Sequence, residues 1–366
     1  MADFLPPPRL TNRGGEVRKV GVEIEFSGVA LAEAAEAVRE AFGGELRKDH
    51  DYRYTVTTER LGEFEVAFDS ALLRDKSYEG YFEKLGIHLG GGAKSAVEAV
   101  LEGIGAPVLP VEVSTPPIPL TDLAALGGLE RALRERNALG TKAAALYAFA
   151  LHFNPEAADP ADPIYLKDHL RAFLLLYDWL FRRGDISWTR RVMPFIDPFP
   201  EKYTRLVIDP GYAPDMPRFG DDYVLWNPTR NRPLDMLPLI AWNEPDRLQR
   251  EPLEGQPVTA RPAFHYRLPN SQIDDPDWSI AAEWNRWVLV ERLAARPDPL
   301  RDLSRTYLDW ENSVMGYLED RWVHVLGEEW VPLLLADPSA EPPKPGPAPV
   351  TGPAVPSPAL RVPRSE

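Results

Sequence analysis

The sequence predicts an α+β fold organised around an antiparallel sheet. Three observations carry that expectation. Short segments alternate apolar and polar residues with period two. Two of them, 52–57 and 64–68, lie close enough to pair through a turn near Leu61 and Gly62. Stretches with helical period separate the other strand-like segments.

Residues 20–27 open the series as a strand, and the alanine-rich run 29–42 follows as a helix that stops at Gly43 and Gly44. The hairpin over 52–68 comes next, then a helix over 93–104. Residues 109–113 read as a strand broken by Ser114, Thr115, Pro116 and Pro117, and 123–138 as a helix. The segment 145–154 suits either state by propensity, but its ending Leu-His-Phe-Asn-Pro favours a strand. A strongly amphipathic helix is expected over 165–183. Proline, aspartate and glycine crowd 198–232, which reads as a long functional loop with short helices. A short helix at 233–242, a strand at 262–268 and helices at 279–295 and 307–326 complete the series.

The organisation reads as an N-terminal extension over 1–17, a catalytic domain over 18–332 and a tail over 333–366. About one residue in three of the final stretch is proline, so it buries too little apolar surface to offset its ordering entropy. The 56 acidic and 41 basic side chains leave a net charge of −15, which argues against a general nucleic-acid binder. With no cysteine, thiol nucleophiles, disulfides and Fe–S clusters are excluded, and any metal should be a hard, oxygen-bound ion. The N-terminus lacks a basic region followed by an apolar run. The most apolar stretches, 143–151 and 172–177, fall well short of the ~18 residues of a spanning helix. A cytoplasmic protein with no membrane partner is the expectation.

Strand alternation gathers the candidate functional residues. Glu23 and Glu25 share one face of their strand, ~7 Å apart by the rise per residue, while Val22, Ile24 and Phe26 share the other. Glu63 and Glu65 repeat the pattern beside Phe64 and Val66, and Glu112 sits between Val111 and Val113. A solvated outer face would also look like this. Recurrence on three strands suggests instead a floor of hard oxygen ligands for Mg²⁺ or Mn²⁺, because carboxylates packed together repel unless a cation sits among them. His152 and Asn154 share a face opposite Leu151 and Phe153, in a pairing that could serve a metal or a phosphate. His265 and Arg267 share another, and the planar fork of Arg267 suits a phosphate or carboxylate. Arg230 and Arg232, in the loop before a helix, are weaker candidates for the same role. The glycine-rich stretch 89–95 is not a P-loop, since Ala93 stands where a glycine should precede the lysine.

These pieces, in their order, resemble the amidoligase family, which is related to the glutamate–cysteine ligases and more distantly to glutamine synthetase. The residues that carry the resemblance are 21–26, Phe68-Asp69-Ser70, 111–117, Leu151-His152-Phe153-Asn154, Asn231 through Asp235 to Leu239, Tyr266-Arg267-Leu268-Pro269-Asn270, and the helix around Glu283-Trp284-Asn285-Arg286-Trp287. Together they span about residues 18–295. The resemblance implies an antiparallel sheet curled into a glutamine-synthetase-like half-barrel with surrounding helices. It also implies ATP-dependent ligation of a carboxylate to an amine through an acyl phosphate, with small-molecule or peptide substrates.

In that scheme Mg²⁺ or Mn²⁺ is held by Glu23, Glu25, Glu63, Glu65, Glu112 and His152. ATP is held by His152, Asn154 and Arg267, with Arg267 and Glu65 as catalytic groups and Arg230, Arg232 and Asp69 toward substrate. Glutamine-synthetase-like relatives often assemble, so a homo-oligomer fits the scheme. Two positions depart from the pattern: Ala150 where relatives often carry histidine, and His265 where they often carry an acid. Either departure is compatible with a rearranged metal shell or with weakened catalysis. Two other classes stay open on the residues, a catalytically inactive relative acting as a binding or scaffold protein and a metal-dependent hydrolase using the same carboxylates.

Overall fold

The strands are β1 (Lys19–Phe26), β2 (Glu45–His50), β3 (Arg53–Thr58), β4 (Gly62–Phe68), β5 (Val111–Ser114), β6 (Ile118–Pro119), β7 (Leu151–Pro155), β8 (Leu234–Asp235) and β9 (His265–Tyr266). A computed structural model describes them within residues 3–68, 110–141, 149–186, 196–249, 253–254, 256–311 and 319–336. They form one sheet in the order β2-β3-β4-β5-β1-β7-β9-β8, with β6 paired to the start of β1. Among the described residues every strand pairing is antiparallel, and the sheet is open, with β2 and β8 at its edges.

Around the sheet lie α1 (Leu31–Phe42), α2 (Leu126–Glu135), α3 (Pro163–Arg183), α4 (Glu201–Ile208), α5 (Met216–Trp226), α6 (Leu237–Asn243), α7 (Ile280–Ala294), α8 (Pro297–Glu311), α9 (Glu319–Val325) and α10 (Val331–Leu335). The α+β class expected from the sequence is therefore observed.

One face of the sheet is apolar throughout. Val20, Val22, Ile24 and Phe26 of β1, Phe64 and Val66 of β4, Val111 and Val113 of β5, and Phe153 of β7 are buried. On β7 and β9 the packing is aromatic: Phe153 lies 5.7 Å from Trp284 of α7, and Tyr266 lies 5.4 Å from Trp287 and 6.0 Å from Phe173 of α3. Each fully buried side chain of this kind stabilises the fold by roughly 1.5–3 kcal/mol. A one-residue slip of any strand would turn this face outward and drive its glutamates into the core, so register is strongly specified.

Local chemistry sets the boundaries. Gly43, at φ 74°, ends α1 in a left-handed conformation that a side chain would resist. Gly62, at φ 101°, takes the same role in the turn that delivers β4. Asp162 caps α3 by accepting from the Ile164 N–H, with Pro163 in the first turn. Asp215 and Ser279 cap α5 and α7 in the same way.

Several boundaries correct the sequence reading. Residues 198–232 carry the short helices expected there, α4 and α5, started by Pro200 and by the Asp215–Pro217 pair. Strand β2 went unnoticed, since Glu-Leu-Arg-Lys-Asp-His lacks apolar alternation on an exposed edge. The strand expected at 262–268 pairs regularly only at His265 and Tyr266. The helix expected at 307–326 begins earlier, with α8 starting at Pro297 and reaching Glu311; α9 covers Glu319–Val325, and residues 312–318 lie outside the described residues. Helix α10 continues to Leu335, three residues past the expected end of the domain, with Leu334 buried. The helix expected at 93–104, the glycine-rich stretch and the proline-rich tail beyond residue 336 lie outside the described residues. Among the described residues no helix is long and apolar enough to cross a membrane.

Candidate active site

The polar face of the sheet is ordered into rows by strand register. Glu65 of β4 opposes Ser114 of β5, Ser114 opposes Glu23 of β1, and Glu23 opposes His152 of β7. In the next row Ala67 opposes Glu112, and Glu112 opposes Glu25. Directly opposed residues bring their Cβ atoms within ~4.5–5.5 Å, so Glu25 and Glu112 are immediate neighbours of like charge. Because Phe153 and Tyr266 pair on the apolar side, His152, Asn154, His265 and Arg267 all stand on the polar side. Asp235, opposed to His265, joins them there. The face expected from the sequence thus brings together Glu23, Glu25, Glu65, Glu112, His152, Asn154 and Arg267.

Glu23 is its pivot. Its two oxygens accept from His152 Nδ1–H at 3.0 Å and from Asn154 Nδ2 at 2.9 Å. Burial alone would raise its pKa, but the hydrogen bond and charge of His152 outweigh it and hold Glu23 well below the usual carboxylate range. Asn154 turns its oxygen the other way, to Arg261 Nη2 at 2.6 Å and to His265 Nδ1. Arg267 Nη1 approaches His265 Nε2 at 3.2 Å. A single tautomer satisfies both ends of that ring: Nδ1–H donates to Asn154 while Nε2 accepts from Arg267. Burial, first of all, keeps His265 neutral by pushing its pKa well below the ordinary histidine value.

The remaining acids differ in exposure. Glu25 Oε2 accepts from the Ala150 N–H at 2.8 Å, so the backbone at Ala150 contacts a site carboxylate even without a histidine side chain. Glu112 Oε1 accepts from Ser114 Oγ at 2.7 Å. The Glu65 side chain is 52% exposed and reaches Arg53 at 3.5 Å. Glu63 is exposed one step further out, beyond the end of β5. Asp235 is buried, and that burial pushes its carboxyl up to about 7 against the pull of the Leu237 N–H and of Arg267.

The arginines also separate. Arg230 sits near Arg267 and Asp235 and donates to the Pro257 carbonyl at 3.0 Å. Arg232, expected toward substrate, is buried and donates to the carbonyls of Asp197, Pro198 and Trp226. Its fork fastens the chain ahead of α4. Asp69 lies outside the described residues. Arg261 and Asp235 had no assigned role in the sequence reading. Asp235 had a signal, its position next to a helix start and within the resembling segment, whereas Arg261 has only its distance of four residues from His265 and no pattern of its own.

Opposed carboxylates thus stand beside a histidine, an asparagine and a buried arginine on one face of an open antiparallel sheet. Residues 16–289 match a family model described as "Putative amidoligase enzyme", and the chain belongs to this amidoligase family. Comparison with curated proteins and with solved structures gives no match.

Proposed function

We propose that this protein is an ATP-dependent carbon–nitrogen ligase that joins a carboxylate to an amine through an acyl phosphate, working with Mg²⁺ or Mn²⁺ on a glutamine-synthetase-like half-barrel. Family membership supports the ligase part of this reading. The observation that carries the rest is the direct cross-strand opposition of Glu25 and Glu112 on the face that also holds Arg267. Two adjacent carboxylates form an all-oxygen donor pair that fits a hard divalent cation. Among the described residues no three His, Asp or Glu side chains gather into a metal cage. Mg²⁺ needs no such cage, since it is usually held by one or two carboxylates, substrate phosphates and water. When bound, such a cation bridges phosphate oxygens and spreads the charge that builds on the transferring group.

The chain's own residues supply the rest. Glu25 and Glu112 would hold the cation, with Glu65 of β4 in the neighbouring row. Buried Arg267 would donate to the phosphoryl oxygens, where exclusion of water strengthens its field. Glu23, His152, Asn154 and His265 form the hydrogen-bonded frame that fixes Arg267 in place.

The test is to incubate the protein with ATP, Mg²⁺ and a panel of amino acids and short peptides and to follow ADP. ADP should appear only when a carboxylate and an amine are both present, and Glu25→Gln should slow it by ~10²-fold or more. If calorimetry finds no divalent-dependent nucleotide binding, the reading fails. Phosphate release without amide formation would point to a hydrolase instead.

A further inference from the structure

A pocket of about 260 Å³ opens behind the sheet, between the first turns of α3, the C-terminal turn of α7 and the N-terminal segment at Arg9. Aromatic packing separates it from the carboxylate rows. His169 of its lining stacks on Phe264 with ring centroids 5.1 Å apart, and Phe264 meets Trp287 at 5.3 Å, on the face it shares with Tyr266. No residue of the candidate active site lines this pocket.

Arg9, Asp162, Asp168, His169 and Glu291 supply its polar lining. Two of these charges are answered inside the protein. Glu291 is held by Arg18 through bonds of 2.7 and 2.8 Å, and Asp168 by Lys167 at 2.5 Å, with Arg171 at 3.9 Å. Two are not. Asp162 accepts the Ile164 backbone N–H at 2.9 Å and forms no ion pair among the described residues. The Arg9 guanidinium lies 5.6 Å from the centre of the Tyr165 ring and likewise forms no ion pair among them. His169 adds an acceptor. Its Nδ1 lies 2.8 Å from the Tyr165 carbonyl, so Nδ1 carries the proton and Nε2 is bare. Burial holds the ring below the ordinary histidine pKa, against the charge of Glu291. The residue is 4% exposed, and Nε2 has no hydrogen-bond partner among the described residues. A buried acceptor left bare beside open space calls for a donor from outside.

We infer that this pocket binds a free α-amino acid with a small aliphatic side chain, its ammonium on Asp162 and His169 Nε2 and its carboxylate on Arg9. A lone cation would face Arg9 and a lone anion would face Asp162, whereas a zwitterion satisfies both ends. An ammonium carries three donors, enough for a carboxylate and a bare imidazole nitrogen together. Ile164, Ala294 and Ala295 line the remainder and suit a few methyl groups. A metal ion suits the pocket less, since among the described residues no three His, Asp or Glu side chains gather closely enough to hold one. The sheet stands between this pocket and the candidate active site, so the amino acid is a ligand there and not a reactant. Its site does not rest on the ligase reading.

Calorimetric titration of the full chain with L-valine, 3-methylbutanoate and 2-methylpropan-1-amine tests the inference; the last two lack the ammonium and the carboxylate respectively. Valine should bind one to one, and each of the others ~10-fold or more weakly, as expected for lost charged hydrogen bonds. Asp162→Asn, which keeps a good cap on α3, should weaken valine by ~10-fold. Arg9→Met, on the surface, should weaken it by about 3-fold at low salt. His169→Phe keeps a ring against Phe264 but removes the acceptor, and should weaken valine by ~5-fold. Glu25→Gln, across the sheet, should leave valine affinity unchanged. The inference is overturned if valine does not bind the wild type, if either comparator binds as tightly, or if Asp162→Asn and Arg9→Met leave valine affinity unchanged. Valine binding that Glu25→Gln abolishes and Asp162→Asn preserves would place the amino acid in the candidate active site and equally overturn it. Asp162-dependent valine binding in a protein that binds no nucleotide would sink the ligase reading and leave this site standing.

Discussion

Asn154 shows how much one side chain decides here. Its amide points Nδ2 at an ionised Glu23 and Oδ1 at two donors, so it joins an acid to a neutral histidine and an arginine without adding charge. The position of His265, where relatives often carry an acid, makes sense in this setting. A neutral ring can accept from Arg267 and donate to Asn154 at once, which a carboxylate cannot. The proton of Asp235 couples the site to stability. Its folded pKa of about 7 lies above the ordinary aspartate value of 3.8, because burial disfavours the charge. Between those limits the native state retains a proton that the unfolded chain has released. Stability from this group is therefore full below the unfolded value and is lost as pH rises toward 7. Asp235→Asn keeps the oxygen that accepts from Leu237 and removes the titration. Its stability relative to the wild type should rise between pH 5 and 7.5, by at most ~1.4 kcal/mol per pH unit. Urea melts at the two pH values measure this, and parallel changes in both proteins would refute it.

At the scale of elements, alternation did most of the work that the sequence could expose. Glu23, Glu25, Glu65 and Glu112 were legible as one polar face because each sits between buried apolar neighbours. Their rows were not legible, since register depends on which strands pair, and β4, β5, β1 and β7 are neighbours in space without being consecutive in sequence. Short helices were expected in 198–232, but the bounds of α4 and α5 were not legible, for a different reason. Proline reads as a breaker along a sequence, yet at the first turn its missing N–H costs nothing. Register also yields a prediction. Like charges directly opposite each other are unfavourable, so Glu112→Gln should stabilise the divalent-free protein by ~0.5–1 kcal/mol. The same change should abolish the rise in Tm that Mg²⁺ gives the wild type. A Glu112→Gln variant whose Tm responds to Mg²⁺ as strongly as the wild type would remove Glu112 from the proposed cation site.

Across the whole molecule, residues 3–17 are tied into the domain by a buried ion pair behind the sheet. Arg18 reaches Glu291 of α7 through two bonds of 2.7 and 2.8 Å, and also donates to the carbonyls of Arg9 and Glu156. Trp287 Nε1 donates to the same carboxylate at 2.8 Å. Trp284 and Asn285 of α7 hold the segment further out, at Leu5. One side chain therefore joins the N-terminal segment, the start of β1, the chain after β7 and the helix that backs the site. Removing one partner leaves a buried charge without compensation. Arg18→Met should cost roughly 3–5 kcal/mol, where an exposed pair would cost under ~1 kcal/mol. Denaturant unfolding measures the difference, and a loss below ~1 kcal/mol would show that the pair relaxes into solvent.

By itself the sequence determined the α+β class, the strands that bear glutamate, and the family resemblance, because each of these is written in local periodicity and residue order. Tertiary structure alone decided which glutamates face one another, that Arg232 fastens a loop while Arg261 donates to Asn154, and that Asp235 and His265 are buried. Those outcomes depend on strand pairing and on the removal of water, and neither leaves a mark on nearest neighbours along the chain.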